Sequence, residues 1–559
     1  MLMVFKETFF RNMKWLWKVS RGFRLRILLY TVIGVANSFL GVQSILAIKR
    51  VVDIATLSSE GSLGWSVFIA VALLLLRLAV DGGLSMFNSR TVSPLANHIR
   101  HIVMEEILNS DSRQSETFSG GDVITRCNND AGAATILMAI TIPTMVVNIS
   151  KLVIYVVSMF LLDVPMAIAA LCILPISVSF TWLFAKKAHA TNRSCQKANS
   201  DDASFIQECL KNILTIKSYR YKPGMLDKMD RIQTRLQTYQ IRQNDISVAS
   251  STVSKLGFNA GYFLSLLVGV IYLTKGTATF GTITAFMQML TQIETLIPTI
   301  LSAVTGITSS FAQVDRILEL CTLTKESTEP EIPVQEFSGI QISHVDFSYH
   351  EDEPVFHDLC CFFKAGKMTA VVGKTGSGKT TLVHLLLAFM QPSCGNLAFT
   401  SSSGTQPISP QTRCNFAFVS HSNAIFDDSI RNNIRLARED ITDEQIITAL
   451  RHAQADFVFD LPAGLDTRLN SHINAFSTGQ LQRLIIARAL CSDSPILLFD
   501  EATSALDYRM EERVLQNIRQ YYPDRTCIFI THSNRLAQQC DEVFAIKDKK
   551  LHMIAQAIA

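Results

Sequence analysis

Six stretches of this chain are apolar and long: Leu25–Ile48, Gly64–Phe87, Ile136–Leu162, Val164–Ala185, Val253–Thr274 and Ile283–Phe311. A bilayer's hydrocarbon core is about 30 Å thick and takes roughly 20 helical residues to cross. Backbone N–H and C=O groups find no water there, so such runs are confined to helices that satisfy their own hydrogen bonds. The first run is too long for the apolar part of a signal peptide, and five more follow it, so it reads as a retained anchor. All six precede Cys321, and the remainder has the mixed pattern of a water-soluble α/β domain. The expected division is a transmembrane domain over 1–320 with an N-terminal interfacial helix, a linker over 321–338 and a second domain over 339–559.

Loop charges set the expected orientation, basic loops staying inside. The N-terminus carries Lys14, Lys18, Arg21, Arg24 and Arg26, and is expected on the cytoplasmic side. Ser58–Gly61 has no Lys or Arg, whereas Arg90–Asp130 and Lys186–Arg242 are basic. Three short outer loops and two long inner ones result, the inner ones continuing the membrane helices into the cytosol. Met3–Trp17 is basic and aromatic and reads as an amphipathic helix in the membrane interface, with a disordered start as the alternative. The net charge of +3 gives no case for a nucleic-acid partner. Twelve cysteines include no C-x-x-C pair, which fits a reduced compartment rather than a disulfide scaffold.

Ionisable residues within membrane runs are functional candidates. Arg77 and Asp81 stand four apart on one helical face and can satisfy each other, the bland reading. Lys151 and Glu294 either line a translocation cavity or snorkel to an interface. Asn37, Gln43, Asn148, Gln288 and Gln292 fit interhelical hydrogen bonding better than ligand contact.

The soluble part announces its chemistry at Gly373-Lys374-Thr375-Gly376-Ser377-Gly378-Lys379-Thr380. This is a complete P-loop: its N–H groups and the following helix N-terminus cradle phosphates, Lys379 reaches the β/γ-phosphates and Thr380 places its hydroxyl on Mg²⁺. An apolar strand, Met368–Val372, precedes it and a helix follows. Pro495-Ile-Leu-Leu-Phe-Asp500 is a buried strand ending in a carboxylate suited to Mg²⁺, and Glu501 follows where it can polarise water. Phe529-Ile-Thr-His532 sets an imidazole at the end of another strand, and Tyr349 offers a ring for a nucleobase. Phe476-Ser477-Thr478-Gly479-Gln480 opens a helix and forms a second anion site. Within one molecule that second site is redundant with the P-loop.

With these residues in this order, the chain resembles an ATP-binding cassette (ABC) half-transporter of the exporter type over nearly its whole length. The resemblance implies six transmembrane helices followed by a cytosolic α/β P-loop ATPase domain, ATP and Mg²⁺ as ligands, and two nucleotide-binding domains closing head to tail. It implies that Gly373 through Thr381 cradle the phosphates, that Thr380 and Asp500 hold Mg²⁺, and that Tyr349 stacks on adenine. Ser477, Thr478, Gly479 and Gln480 of the opposite domain complete the site. Glu501 acts as general base, His532 contacts the γ-phosphate, and Asp507 in Ser504-Ala-Leu-Asp507 links the two sites. Gly120–Arg126 and Glu208–Lys217 look like the coupling segments. A homodimer is the simplest pairing, and a heterodimer with another half-transporter is the competitor.

Three departures stand out. His421 occupies the place where the family has a Gln near Mg²⁺, and imidazole changes charge near neutral pH. Leu469-Asn-Ser-His-Ile-Asn474 replaces a Gly- and Glu-containing stretch, and Thr478 replaces a Gly in the signature. The leading expectation is ATP-driven export of an amphipathic small molecule, lipid or peptide, with the lipid bilayer as surroundings and a bacterial inner membrane as location. An importer on the same scaffold, or a nucleotide-gated regulator or channel with little turnover, is the alternative.

Overall fold

The computed structural model describes residues 2–115, 118–171, 174–327, 329–349, 353–374, 376–402, 404–421, 424–469 and 476–554, with side chains described outside 2–7, 170–190, 193, 254 and 305. The chain divides into two compact units, Met1–Met104 with Gly121–Cys321, and Glu105–Gly120 with Thr322–Ala559.

Helices build the first unit: α1 (Leu2–Val19), α2 (Arg24–Ala55) and α3 (Leu63–Leu108), whose last turn belongs to the second unit together with α4 (Ser112–Ser115). Then come α5 (Gly120–Thr125), α6 (Ala131–Ile136), α7 (Ile142–Leu162), α8 (Val164–Leu171), α9 (Leu174–Lys211), α10 (Ile213–Ser218), α11 (Lys222–Thr274) and α12 (Phe280–Cys321). Among the described residues, five helical runs are long and apolar enough to cross a membrane: α2, α3, Gly120–Leu162, α11 and α12. The expected fourth span, Val164–Ala185, begins in α8 and enters α9, but residues 172–173 and the side chains of 170–190 lie outside the described residues. At 1.5 Å per residue the 53 residues of α11 extend about 80 Å, far beyond a hydrocarbon core of about 30 Å. The long inner loops are thus largely continuations of spanning helices.

Val42 and Ile45 of α2, Tyr155 and Met159 of α7, Met166 of α8, and Phe286, Met289 and Ile293 of α12 form one buried core. The outward faces stay apolar, with Leu28, Phe68, Leu75, Val153 and Phe263 exposed. In hydrocarbon such faces are solvated rather than penalised. Helix α1 is ordered by α12: Phe9 meets Phe311 edge-on at 5.3 Å, Asn12 Nδ2 donates to Phe311 O at 3.3 Å, and Arg11 pairs with Asp315 at 2.5 Å. Two π-helical turns, Arg126–Asp130 and Leu137–Thr141, interrupt the run that ends in α7. Fully buried Asp130 takes two hydrogen bonds from Arg316 of α12, at 2.8 and 2.5 Å, and Arg126 pairs with Glu319 at 3.0 Å. A buried carboxylate is tolerated where a guanidinium compensates it in this way.

The second unit holds two main sheets. β1 (Phe337–Ser348), β2 (Pro354–Lys364), β4 (Cys394–Ser401) and β5 (Gly404–Pro407) form an antiparallel sheet in the order β2-β1-β4-β5. The other has six strands in the order β12-β11-β3-β10-β9-β6, comprising β3 (Met368–Val372), β6 (Phe416–Val419), β9 (Ile496–Asp500), β10 (Thr526–Thr531), β11 (Glu542–Lys547) and β12 (Lys550–Ile554). Only β12 runs antiparallel. Every residue of β9 and β10 is buried. That explains their continuous apolar runs: parallel strands covered on both faces cannot alternate. Between them lie α13 (Lys379–Leu386), the two-residue strands β7 (Asp428–Ser429) and β8 (Arg468–Leu469), α14 (Ile430–Arg435), α15 (Asp443–His452), α16 (Thr478–Leu490), α17 (Tyr508–Tyr521) and α18 (Asn534–Gln539). The stretch expected as a linker is tied down within this unit: Arg413 pairs with Glu326 at 3.0 Å, Ile332 N donates to Gln411 O at 2.9 Å, and Val334 N donates to Asn415 Oδ1 at 2.8 Å. Cys361 is buried and its neighbour Cys360 exposed, as strand alternation requires, and no disulfide joins the described cysteines.

Candidate functional site

Strands β3, β10, β9 and β6 are neighbours, so the segments leaving their carboxyl ends meet at one edge of the sheet. Ligands of open α/β sheets bind there. The P-loop leaves β3 through Gly376 (φ 81°) and Gly378 (φ 99°), conformations that a side chain would strain, and enters α13 at Lys379. Ser377 Oγ is buried without a hydrogen-bond partner, an orphan donor that a bound anion could satisfy. Thr375 lies outside the described residues.

Lys379 is almost fully buried; its Nζ donates to Gly373 O at 2.9 Å and to Lys374 O at 3.4 Å. The same ammonium stands 3.7 Å from Glu501 Oε1. Glu501 also faces His532 Nδ1 at 3.6 Å and His421 Nδ1 at 4.0 Å. Three sequence-predicted groups, from the ends of β3, β10 and β6, thus converge on the carboxylate that follows β9. Glu501 itself has φ 50°, a left-handed backbone that costs a non-glycine residue of order 1 kcal/mol or more and persists where surroundings fix it. Its N–H donates to Ile530 O at 2.9 Å, which ties the residue to β10.

Asp500 is buried at the end of β9. Burial, then the neighbouring Glu501, pushes its carboxyl above the ordinary carboxylate range, against opposing help from His421, His384 and Lys379. A hard divalent cation would reverse that balance, and the oxygen donors of Asp500 and Thr380, whose side chain is exposed at the first turn of α13, suit one. Tyr349 is half-exposed; its hydroxyl bonds Thr381 Oγ1 at 3.0 Å and its ring meets Phe347 edge-on at 5.2 Å. Thr381 therefore serves to fix the tyrosine, while Thr380 faces solvent.

Ser477 is the N-cap of α16. Its Oγ accepts from Gln480 N at 3.2 Å, and Gln480 Oε1 accepts from Ser477 N at 2.8 Å, a complete capping box. The N–H groups of Thr478 and Gly479, and the Ser477 hydroxyl proton, are left for a ligand. Among the described residues no hydrogen bond or ion pair joins this turn to the P-loop. Asp507 caps α17, accepting from Met510 N at 3.0 Å. The sequence reading missed Gln482, buried on α16, whose Oε1 accepts from Ala505 N at 3.1 Å and fixes the Ser504–Asp507 turn against the signature helix. The available signal was a glutamine on the buried side of an otherwise apolar helix. The departure expected at Leu469–Asn474 falls, beyond Leu469, outside the described residues. A cavity of about 250 Å³ adjoins Glu501 and His532, with Ser504, Tyr508 and Arg535 in its wall. A larger one of about 810 Å³, between Glu331–Val334 and Arg488–Pro495, contains none of these groups.

Residues 27–296 match the family described as ABC transporter transmembrane region, and residues 356–504 match the family described as ABC transporter. Among relatives, a protein named as a fatty acid ABC transporter ATP-binding/permease protein in Mycobacterium bovis is 25% identical over 429 residues, 76% of this chain and 68% of that one. A Mycoplasma genitalium protein named as an ABC transporter ATP-binding protein is 26% identical over 448 residues, 78% and 76% of the two chains. One named for multidrug export in Staphylococcus aureus is 26% identical over 436 residues, 77% and 75%. A bacterial Atm1-family ABC exporter with ATP bound shares the fold at TM-score 0.79, with 21% identity and 96% of each chain covered. The chain belongs to the ABC transporter family, as an exporter-type half-transporter. It is an integral membrane protein that binds and hydrolyses ATP.

Proposed function

We propose that two copies of this chain form an exporter with six spans per subunit, moving an amphipathic small molecule, lipid or peptide out of the cytosol by alternating access. The proposed division places the membrane domain in residues 1–320 and the ATPase domain in 339–559, with the latter and the N-terminus cytoplasmic at a bacterial inner membrane. The carrying observation is the convergence of Lys379, His421 and His532 on Glu501. The relatives' names, fatty acid transport and multidrug export, support an amphipathic cargo.

ATP would sit with its phosphates on Gly373–Thr381 and its base against Tyr349. Thr380 and Asp500 would hold Mg²⁺, which neutralises phosphate charge. Glu501 takes a proton from the attacking water, and Lys379 and His532 hold the γ-phosphate oxygens against it. Ser477, Thr478, Gly479 and Gln480 of the second subunit close over the nucleotide, with Asp507 relaying between sites. ATP binds the closed pair better than the open one, and that difference drives the inward-to-outward change. Exposed Leu214 and Tyr219 around α10 suit a coupling segment that docks on the ATPase domain, with Gly120–Arg126 as the second.

A second reading, a nucleotide-gated regulator, is favoured by one observation: His421 stands near Glu501 where a neutral amide is usual. Phosphate release by the protein in lipid nanodiscs, compared with Glu501→Gln, decides between them. The exporter reading requires turnover lowered at least a hundredfold by the substitution. Turnover equal in both proteins, with ATP still changing conformation, sinks it.

A further inference from the structure

Three helices bring polar groups to one depth of the membrane unit. Asn37 lies near the middle of the apolar run of α2, Arg77 and Asp81 near the middle of that of α3, and Lys151 and Tyr155 within α7. They meet. Asn37 Nδ2 donates to Asp81 Oδ1 at 2.6 Å, while Arg77 Nε is 3.9 Å from Asp81 Oδ2. Lys151 lies one helical turn before Tyr155 on α7. Gly41 permits the approach: a Cβ there would lie 3.1 Å from Tyr155 Oη and 3.5 Å from Arg77 Cζ.

The Arg77–Asp81 pair expected from the spacing forms, as an ion pair at 3.9 Å. Asp81 also accepts a short hydrogen bond from the Asn37 amide, so its charge is shared between two partners. Lys151 has no hydrogen bond or ion pair among the described residues. The cluster holds two cations and one anion. Each charge at mid-helix in a membrane costs roughly 2.5–3.5 kcal/mol on insertion scales, so an excess cation kept there points to an anion that visits. Access exists: the Arg77 and Asp81 side chains are 26% and 51% exposed. The surroundings are apolar, with Leu74, Leu75 and Leu78 of α3 and Val153 and Val157 of α7 exposed beside them.

We propose that Arg77 and Lys151 form the headgroup end of a binding site for anionic amphiphiles, molecules with one carboxylate or phosphate on an apolar chain. Asp81, shared between Arg77 and Asn37, offsets only one of the two cations. The assignment rests on the exporter reading above and names its substrate class.

The test is scintillation-proximity binding of radiolabelled oleate to the full chain in phosphatidylcholine nanodiscs without nucleotide. Lysophosphatidate, oleyl alcohol and oleylamine serve as competitors. Saturable binding is expected, displaced by lysophosphatidate but not by the alcohol or the amine, and the stronger of the two anions identifies the preferred headgroup. Lys151→Met and Arg77→Met each weaken it roughly tenfold or more, as loss of a charged hydrogen bond would. Lys151→Arg retains it, and Asp81→Asn leaves it equal or tighter. Stabilisation by ATP, read in thermal melts, stays unchanged in every variant and shows that each is folded. Equal displacement by all competitors, absence of saturable binding, or indifference to Lys151→Met and Arg77→Met overturns the site. Selective anion binding without ATP turnover would remove the exporter reading and leave the site; turnover without selectivity does the reverse.

Discussion

In the proposed composite site, Ser477 carries two roles that a single substitution confounds. Its Oγ accepts the Gln480 N–H at 3.2 Å, which caps α16, and its hydroxyl proton remains for a phosphate of the facing nucleotide. Ser477→Ala loses the cap, worth about 1 kcal/mol, and also the hydrogen bond to a charged group, worth roughly 1.5–3 kcal/mol. Ser477→Asp keeps the cap, because Asp caps as well as Ser. It also sets a carboxylate against the phosphate, and two unit charges about 4 Å apart at an effective dielectric near 20 repel by roughly 4 kcal/mol. The two readouts must then rank the variants in opposite order. In thermal melts without nucleotide, Asp matches Ser while Ala falls below both. In ATP turnover at saturating nucleotide, Ala loses about one to two orders of magnitude and Asp about three. An Asp variant that turns over ATP as fast as the Ala variant would show that Ser477 is only a cap, and the composite site would fall with it.

Two further outcomes follow from single residues. His421→Gln replaces the imidazole 4.0 Å from Glu501 with a neutral amide and is expected to raise turnover roughly three- to tenfold, as about 1 kcal/mol of transition-state stabilisation would; phosphate-release kinetics showing a fall would refute the assignment of that position. His452 stacks on Tyr521 at 4.1 Å and contacts Tyr522 Oη at 3.1 Å, and burial holds its pKa below the ordinary imidazole value. The unfolded chain then binds the proton more readily, so stability present above about pH 6.5 is lost as pH falls below it. His452→Phe should flatten that part of the melting-temperature profile, and an unchanged slope refutes the role.

Much of the nucleotide site was legible because its chemistry needs contiguous residues. Gly373–Thr380 must be one loop to wrap a phosphate chain, and Ile496–Glu501 must be one strand and its exit. Their meeting was not legible. Lys379, His421 and His532 reach Glu501 only because β6, β9, β10 and β3 are adjacent in the sheet, and strand order leaves no mark on local sequence. In the membrane unit the spans could be read from hydropathy, but their facing could not. Helix α3 is apolar almost all round through its span, so nothing in its pattern says which side meets α2, and the Asn37–Asp81 bond was invisible for that reason. The two π-helical turns around Asp130 likewise have no sequence signal beyond a buried acid whose partner, Arg316, is far along the chain.

The arrangement around Glu501 also suggests how binding and chemistry are ordered. Lys379 is held by two P-loop carbonyls and lies near Glu501, and both histidines face the same carboxylate. A triphosphate entering the loop brings several negative oxygens and competes for the same donors. Lys379 can serve the phosphate fully only by giving up its carbonyl contacts and its proximity to Glu501. On the proposed reading, Glu501 is then left facing water once the phosphate is seated, which ties proton removal to occupancy of the site.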